Sequence, residues 1–389
     1  MSDEEITQEK QWVTLRSGSM QAYVGRGNVA NVGHELRCAV GKPHSLLLAH
    51  APEVDEDLVE SIRRDLTCEG FFVVLADLSS DRDPCGMRSV EAFWQELALA
   101  GITSDDLVVA VGSAAPLSVA SFACTSWCGG TQLAMIPTDL ASALVAPTTP
   151  LPLELPGVER LVMQESHTRF LFCDIGLMDL DATSESVLYA RALMVAIAVS
   201  DSDKTFGRLW DRADDIASED LSVLETQVAD TLKSRGRTVS STSAATRQSA
   251  EYGQSFVWAL RGLVHEDVPP STLLAEGMRF SARLAAGADS LSVDDVLAQD
   301  EVLERLGLGY VACDVSPDEM IAALKAECFR RSRRFMICMP KALGRVRLSA
   351  VEDDLLSEHA GAWCAAHADL LEDGDRVDSD EDGIESAAE

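Results

Sequence analysis

Through the first half of the chain, short apolar runs alternate with amphipathic stretches. Ser45-Leu-Leu-Leu-Ala, Phe71-Phe-Val-Val-Leu-Ala, Leu107-Val-Val-Ala-Val, Gln132-Leu-Ala-Met-Ile and Arg169-Phe-Leu-Phe-Cys read as buried strands. Between them, 58–68, 90–100 and 117–127 carry apolar residues at helical spacing. Strand–helix alternation of this kind predicts a three-layer α/β unit with a mostly parallel, Rossmann-like sheet. Before it, 12–15 and 21–24 flank a Gly-Ser and predict a hairpin. From about residue 180 the period becomes helical, with helices expected over 185–199, 204–217, 223–233, 245–264, 271–286 and 293–306. Ser316-Pro-Asp-Glu opens another with a capping serine and first-turn acids. A late hairpin over 334–339 and 344–348 and a last helix over 353–371 complete the pattern. The expected organisation is an α/β, nucleotide-binding-like domain over 1–177, a mainly α-helical domain over 178–371, and an acidic tail over 372–389.

Composition narrows the partners. The 389 residues are enough for two cores, and 47% hydrophobic content with a mean hydropathy of +0.04 describes a soluble globular protein. No apolar run approaches the roughly 20 residues of a membrane span. The opening Met-Ser-Asp-Glu-Glu lacks the basic and apolar parts of a signal peptide, so a cytoplasmic location is expected. A net charge of −32 argues against nucleic acid and anionic membrane, which need clustered positive charge. The ten cysteines form no Cys-x-x-Cys pair and read as reduced, buried small residues. Asp378-Ser-Asp380-Glu-Asp382-Gly383 and Glu389 have the spacing of a calcium loop, but Glu385 stands where an apolar residue belongs. Disorder is the reading for this tail.

The chemistry-bearing stretch is 233–278. It contains Lys233, Arg247, Glu251-Tyr-Gly-Gln254, Trp258-Ala and Pro270-Ser-Thr-Leu-Leu-Ala-Glu-Gly277-Met278. This frame resembles the metal-binding core of the 3-dehydroquinate synthase family. There an Asn-Phe/Tyr-Gly-His-x-x-Gly-His-Ala segment precedes His-Gly-Glu-x-x-x-Gly-Met. The scaffold letters Tyr252, Gly253, Ala259, Gly277 and Met278 match, while Gln254, Trp258 and Pro270 stand where the family has histidines. The resemblance runs over about 12–350 and includes Tyr23-Val-Gly25-Arg-Gly27 and Arg334-Phe335 through Pro340 to Gly344. It implies a homodimer of two-domain subunits, and a cleft in which NAD, a divalent metal and a sugar-acid phosphate meet.

Carried over position by position, the resemblance implies degenerate sites. The family's Gly-Gly-Gly-x-x-Gly-Asp turn, which brings backbone to the NAD pyrophosphate, is Gly112-Ser113-Ala114-Ala115-Pro116-Leu117-Ser118 here. Its Pro-Thr-Thr/Ser is Pro137-Thr138-Asp139, and its Asp-Ser-Ser-x-Gly-Gly-Lys run is Ala141-Ser-Ala-Leu-Val-Ala-Pro147. The Gly-Glu-x-x-Lys after the second strand is absent from 80–87. Met194, Gln254 and Pro270 fall at the three metal-ligand positions and Ile197 at a catalytic lysine. Lys233 and Arg247 fall where the family has substrate-binding cations. They are either surface charges on helices or a residual anion pocket.

Elsewhere, Arg330-Arg331-Ser-Arg333-Arg334 with Lys341, Arg345 and Arg347 is the one basic concentration, read first as a hairpin face pairing with the chain's own acids. His265 is read as a helix C-cap. His359, Cys364 and His367 share the last helix, but only His359 and His367 approach one face, two turns apart, so no ligand set is expected there. His34, His44, His50 and His167 have no patterned partners, and no nucleophile–base constellation stands out. Three functions stay open. The first is a catalytically inactive family member with a binding, scaffolding or regulatory role, for which no cofactor is expected. The second is an active 3-dehydroquinate synthase or related sugar-phosphate cyclase of the shikimate type, with NAD and zinc or cobalt. The third is a small-anion or sugar-phosphate binding module. A small anionic ligand and a protein partner both remain candidates.

Overall fold

The computed structural model describes residues 7–41, 45–78, 85–158, 160–264 and 267–385, with side chains as far as 371. The expectations for His44, His265, residues 80–84 and the calcium-loop spacing at 378–389 lie outside the residues or side chains described. The chain divides into two compact units, Met1–Ala190 with Glu219–Ser241, and Arg191–Ser218 with Thr242–Glu389. The division expected at 177 is therefore displaced, and one segment of the helical half joins the sheet.

The first unit holds a seven-stranded sheet in the order β1-β2-β7-β6-β5-β3-β4. The strands are β1 (Thr7–Leu15), β2 (Gly18–Arg26), β3 (Ser45–His50), β4 (Phe72–Asp77), β5 (Leu107–Gly112), β6 (Gln132–Pro137) and β7 (Thr168–Asp174). The β1–β2 hairpin is antiparallel and every other pairing is parallel. β5, buried at all six positions, needs apolar residues on both faces, which is why its sequence is a continuous run. Leu46, Leu48, Val109, Val111, Ile136 and Phe172 build the core on one face with residues of α1 (Val32–Val40) and α2 (Glu56–Cys68). The apolar run at 71–76 also becomes a strand, but β4 is the sheet edge, and Phe72 is 71% exposed. An apolar run alone does not distinguish an edge from a centre.

α3 (Met87–Leu99), α4 (Ala114–Ser126) and the short α5 (Leu140–Val145) complete the crossovers. Asp139 caps α5, accepting from the Ser142 amide at 2.9 Å. α8 (Leu221–Ser240) lies on β1; Gln11 Nε2 donates to the Ala229 carbonyl at 2.8 Å, and Arg26 pairs with Glu225 at 2.5 Å. α6 (Glu185–Asp201) runs through the division between units.

The second unit contains α7 (Asp203–Ala217), α9 (Ala244–Gln248), α10 (Gln254–Leu260), α11 (Pro270–Gly287), α12 (Val293–Arg305), α13 (Pro317–Arg331), the hairpin β8 (Ile337–Ala342) and β9 (Arg345–Ser349), and α14 (Asp353–Glu385). α11 is its central helix, with α10, α12, α14 and β8 packed around it. The single helix expected over 245–264 is broken. Gly253 takes φ +81°, a left-handed conformation that ends one turn and starts α10 in a new direction. α14 reaches Glu385, beyond the expected end at 371.

Candidate functional site

In the first unit the turn from β5 into α4 is the candidate nucleotide cradle. Gly112 is required by packing, because a Cβ there would lie 2.9 Å from Ala51 Cβ and 3.1 Å from Pro116 Cγ. Ser113 caps nothing; its hydroxyl meets Glu53 Oε1 at 3.2 Å. A carboxylate thus stands at the helix start where a pyrophosphate needs free amides and positive potential. Ala114 opens α4, and Pro116, two residues on, has no amide hydrogen to offer. Ser118 is buried: it donates to the Ala114 carbonyl at 2.6 Å and accepts from the Leu151 amide at 2.8 Å. It serves the fold, not a ligand.

In the second unit, Gln254 and Pro270 are the first residues of α10 and α11, which pack against each other. Met194, on the part of α6 belonging to this unit, is fully buried, as is Ile197 at 2% exposure. Around them the scaffold letters have packing roles. A Cβ on Gly277 would lie 2.3 Å from the Gly253 carbonyl oxygen, so two bare backbones cross there. The Tyr252 hydroxyl reaches the Met278 carbonyl at 3.1 Å and Gln299 Oε1 at 2.7 Å.

The two candidate anion-binding cations fall in different units: exposed Lys233 is on α8 in the first and Arg247 on α9 in the second. Arg247 Nη1 donates to the Thr242 carbonyl at 3.1 Å.

No family model matches. The 3-dehydroquinate synthase of Rhodopirellula baltica is 21% identical over 319 residues, 80% of this chain and 84% of the relative. That of Corynebacterium jeikeium is 21% identical over 351 residues, 88% and 94%. Among solved structures, 2-deoxy-scyllo-inosose synthase, complexed with carbaglucose-6-phosphate, NAD+ and Co2+, aligns with a TM-score of 0.77 at 16% identity, covering 90% of this chain and 99% of that one. The 2-epi-5-epi-valiolone synthase of Streptomyces hygroscopicus, with NAD+ and Zn2+ bound, gives 0.75 at 16% identity, covering 90% and 97%. The chain has the dehydroquinate synthase-like fold.

Within that fold Met194, Gln254 and Pro270, at the positions that the resemblance assigns to metal ligands, do not fit a catalytic divalent metal. Methionine is a soft, uncharged thioether, glutamine a weak neutral ligand, and proline offers no side-chain donor. Nothing in that set offsets the dehydration of a dication. The β5–α4 turn likewise fits a dinucleotide poorly, given Glu53 and Pro116.

At Trp258, where the resemblance implies a histidine in the family, this chain has a cation–π pair. The Arg331 guanidinium lies 3.6 Å from the Trp258 ring centroid, and its Nη1 is 3.9 Å from Glu251 Oε1. Burial pushes the Glu251 carboxyl up, and Arg331 offsets part of that. In the same basic cluster, Arg330 pairs with Glu327 at 3.0 Å and Lys341 donates to Ser290 Oγ at 2.9 Å. These two arginines thus pair with the chain's own acids. Arg331→Ala is expected to cost about 1 kcal/mol, read as a lower urea midpoint; an unmoved midpoint would deny the pair any stabilising role.

Three groups of residues escaped the sequence reading. Cys38 Sγ lies 3.6 Å from His34 Nε2 on the open surface of α1, with His34 Nδ1 3.7 Å from Glu69 Oε1. In the second unit, Glu276 on α11 is 1% exposed and accepts from Arg279 Nη1 at 3.0 Å and from Trp363 Nε1 and His367 Nε2, both at 2.9 Å. In the first, Arg235 on α8 is 3% exposed. Arg235, Glu276 and His367 share one signal: each interrupts the apolar stripe of its helix.

Proposed function

We propose that this dehydroquinate synthase-like chain acts by binding rather than by the metal-dependent reaction of its relatives. The observation that carries this reading is the donor set: Met194, Gln254 and Pro270 at the three ligand positions. Fold outlasts chemistry because packing contacts such as Gly253–Gly277 are independent of the reaction the fold once hosted. The protein is then a homodimeric member of the sugar-phosphate cyclase group, with a small anion or a protein as its partner.

A second reading, an active sugar-phosphate cyclase, is favoured by one finding. The synthases with TM-scores of 0.77 and 0.75 hold NAD+ with Co2+ or Zn2+. The two readings separate in one assay. Purified protein is supplied with NAD, zinc or cobalt, and 3-deoxy-arabino-heptulosonate 7-phosphate, and both phosphate release and bound metal are measured. The binding reading expects release no higher than without protein and metal far below one per chain. Release accompanied by stoichiometric metal would establish the second reading and overturn the first.

A further inference from the structure

α8 buries Leu224, Val228 and Leu232 on one stripe, and Arg235 lies on it. Arg235 Nε donates to Thr148 Oγ1 at 3.0 Å, and Nη2 donates to Thr149 Oγ1. Both acceptors are neutral hydroxyls just past the end of α5. Among the described residues no carboxylate acts on the guanidinium, and Tyr189 is the titratable group that does. Burial pulls Arg235 down to about 10, which still leaves it cationic at neutral pH.

The contrast lies in the same chain. Arg279, likewise buried, meets the Glu276 carboxylate at 3.0 Å. A buried charge without a counter-charge is strongly disfavoured, because its hydration is lost and nothing replaces it. With 64 acidic residues against 32 basic ones, the chain does not lack carboxylates to place there.

The hydrogens tell the same story. The guanidinium has five N–H donors, and the two bonds above engage two of its three nitrogens. The Thr148 hydroxyl, having accepted from Arg235, passes its own proton to the Leu144 carbonyl at 2.6 Å. The Thr149 hydroxyl also accepts from Arg235, and among the described residues its proton meets no acceptor. Thr149 is half-buried, so the cluster reaches the surface at that residue. The cluster therefore has one positive charge, spare donors and, among the described residues, no carboxylate.

We propose that Arg235 and Thr149 form a binding site for a small tetrahedral oxyanion, phosphate or the phosphate group of an ester. Such a group accepts hydrogen bonds from the guanidinium edge and from the threonine hydroxyl, and it supplies the charge the arginine lacks. The site deepens the binding reading above, but it rests on first-unit residues alone and does not depend on the fate of the metal positions.

The test is titration calorimetry on the full chain at constant ionic strength, first with inorganic phosphate and then with glucose 6-phosphate. Wild type is expected to bind one phosphate per chain. Thr149→Val should weaken binding about tenfold, the effect of one hydrogen bond to a charged group, and Arg235→Met should abolish it. Thermal unfolding without phosphate should leave Arg235→Met at least as stable as wild type, because the variant removes an unpaired charge. Tighter binding of glucose 6-phosphate would support the site with an ester as its ligand, and equal binding would support it with free phosphate. No heat from folded wild type, or the same affinity in Thr149→Val and Arg235→Met, would overturn the site. Either result leaves the turnover measurement as it stands, and turnover would not remove a measured phosphate affinity.

Discussion

Gly277→Ala is expected to be among the most destabilising single-methyl additions in the second unit. The new Cβ would stand 2.3 Å from the Gly253 carbonyl oxygen and 3.0 Å from its carbonyl carbon and Cα. Those are backbone atoms, so no side chain can swing aside. Gly253 cannot yield readily either. It holds φ +81°, with room for no more than a hydrogen between it and Leu274 O, 3.0 Å from a Cβ built there. The helices α10 and α11 would have to separate, opening the contact that seats Tyr252 on Met278. We expect a loss of about 3 kcal/mol or more, measured as a fall in the urea midpoint at unchanged slope. A midpoint equal to wild type would mean that the helices do not cross at this glycine. The result bears on function. It would show that this glycine of the resemblance serves packing, whatever chemistry the chain performs.

Glu276→Gln is the second large effect. The carboxylate is 1% exposed and joins three donors from two helices: Arg279 on α11 itself, and Trp363 and His367 on α14. Arg279 is further held by the carbonyls of Leu308 and Gly309 at 2.8 and 2.6 Å. His367 Nδ1 meets the Trp363 carbonyl at 2.7 Å, so both of its nitrogens face acceptors. Neutralising Glu276 leaves the buried Arg279 without its counter-charge, at a cost of about 3 kcal/mol. The pH dependence has a definite sign. Burial alone would raise the Glu276 carboxyl; hydrogen bonding and charge from His367, then Arg279 and Trp363, outweigh it and hold it below the ordinary carboxylate range. A carboxyl lowered on folding stabilises fully above its unfolded value and loses that contribution as pH falls through the folded one. Wild type should therefore lose stability on acidification through and below the carboxylate range, and Glu276→Gln should lose less. Parallel stability–pH curves for the two would show that this network carries no such linkage.

The strands and most helices could be read from the sequence because each rests on local period. β5 is apolar at every position since both its faces are covered, and α7 shows one apolar face because only one is. The resemblance was readable for a similar reason: Tyr252, Gly253, Gly277 and Met278 sit where two backbones touch, and few other residues fit. The residue types at 194, 254 and 270 were readable directly, and a proline side chain offers a metal no donor in any fold.

Other features depend on which elements meet, and period carries no such information. The run that forms β4 has the composition of a central strand but lies at the sheet edge. α8 has the period of the helical half yet packs on β1. Lys233 and Arg247, fourteen positions apart in sequence, belong to different units.

The sequence by itself determined the element types and the dehydroquinate synthase-like frame, because these depend on local spacing and on what each side chain can do. Only the tertiary structure decided the partners of the polar residues that interrupt apolar stripes. Glu276 and His367 are 91 residues apart and meet across two helices, and Arg235 reaches Thr148 from 87 residues away. A buried charge is defined by the groups around it. Those groups are set by packing, which joined Glu276 to Arg279, Trp363 and His367 and, among the described residues, left Arg235 without an anion.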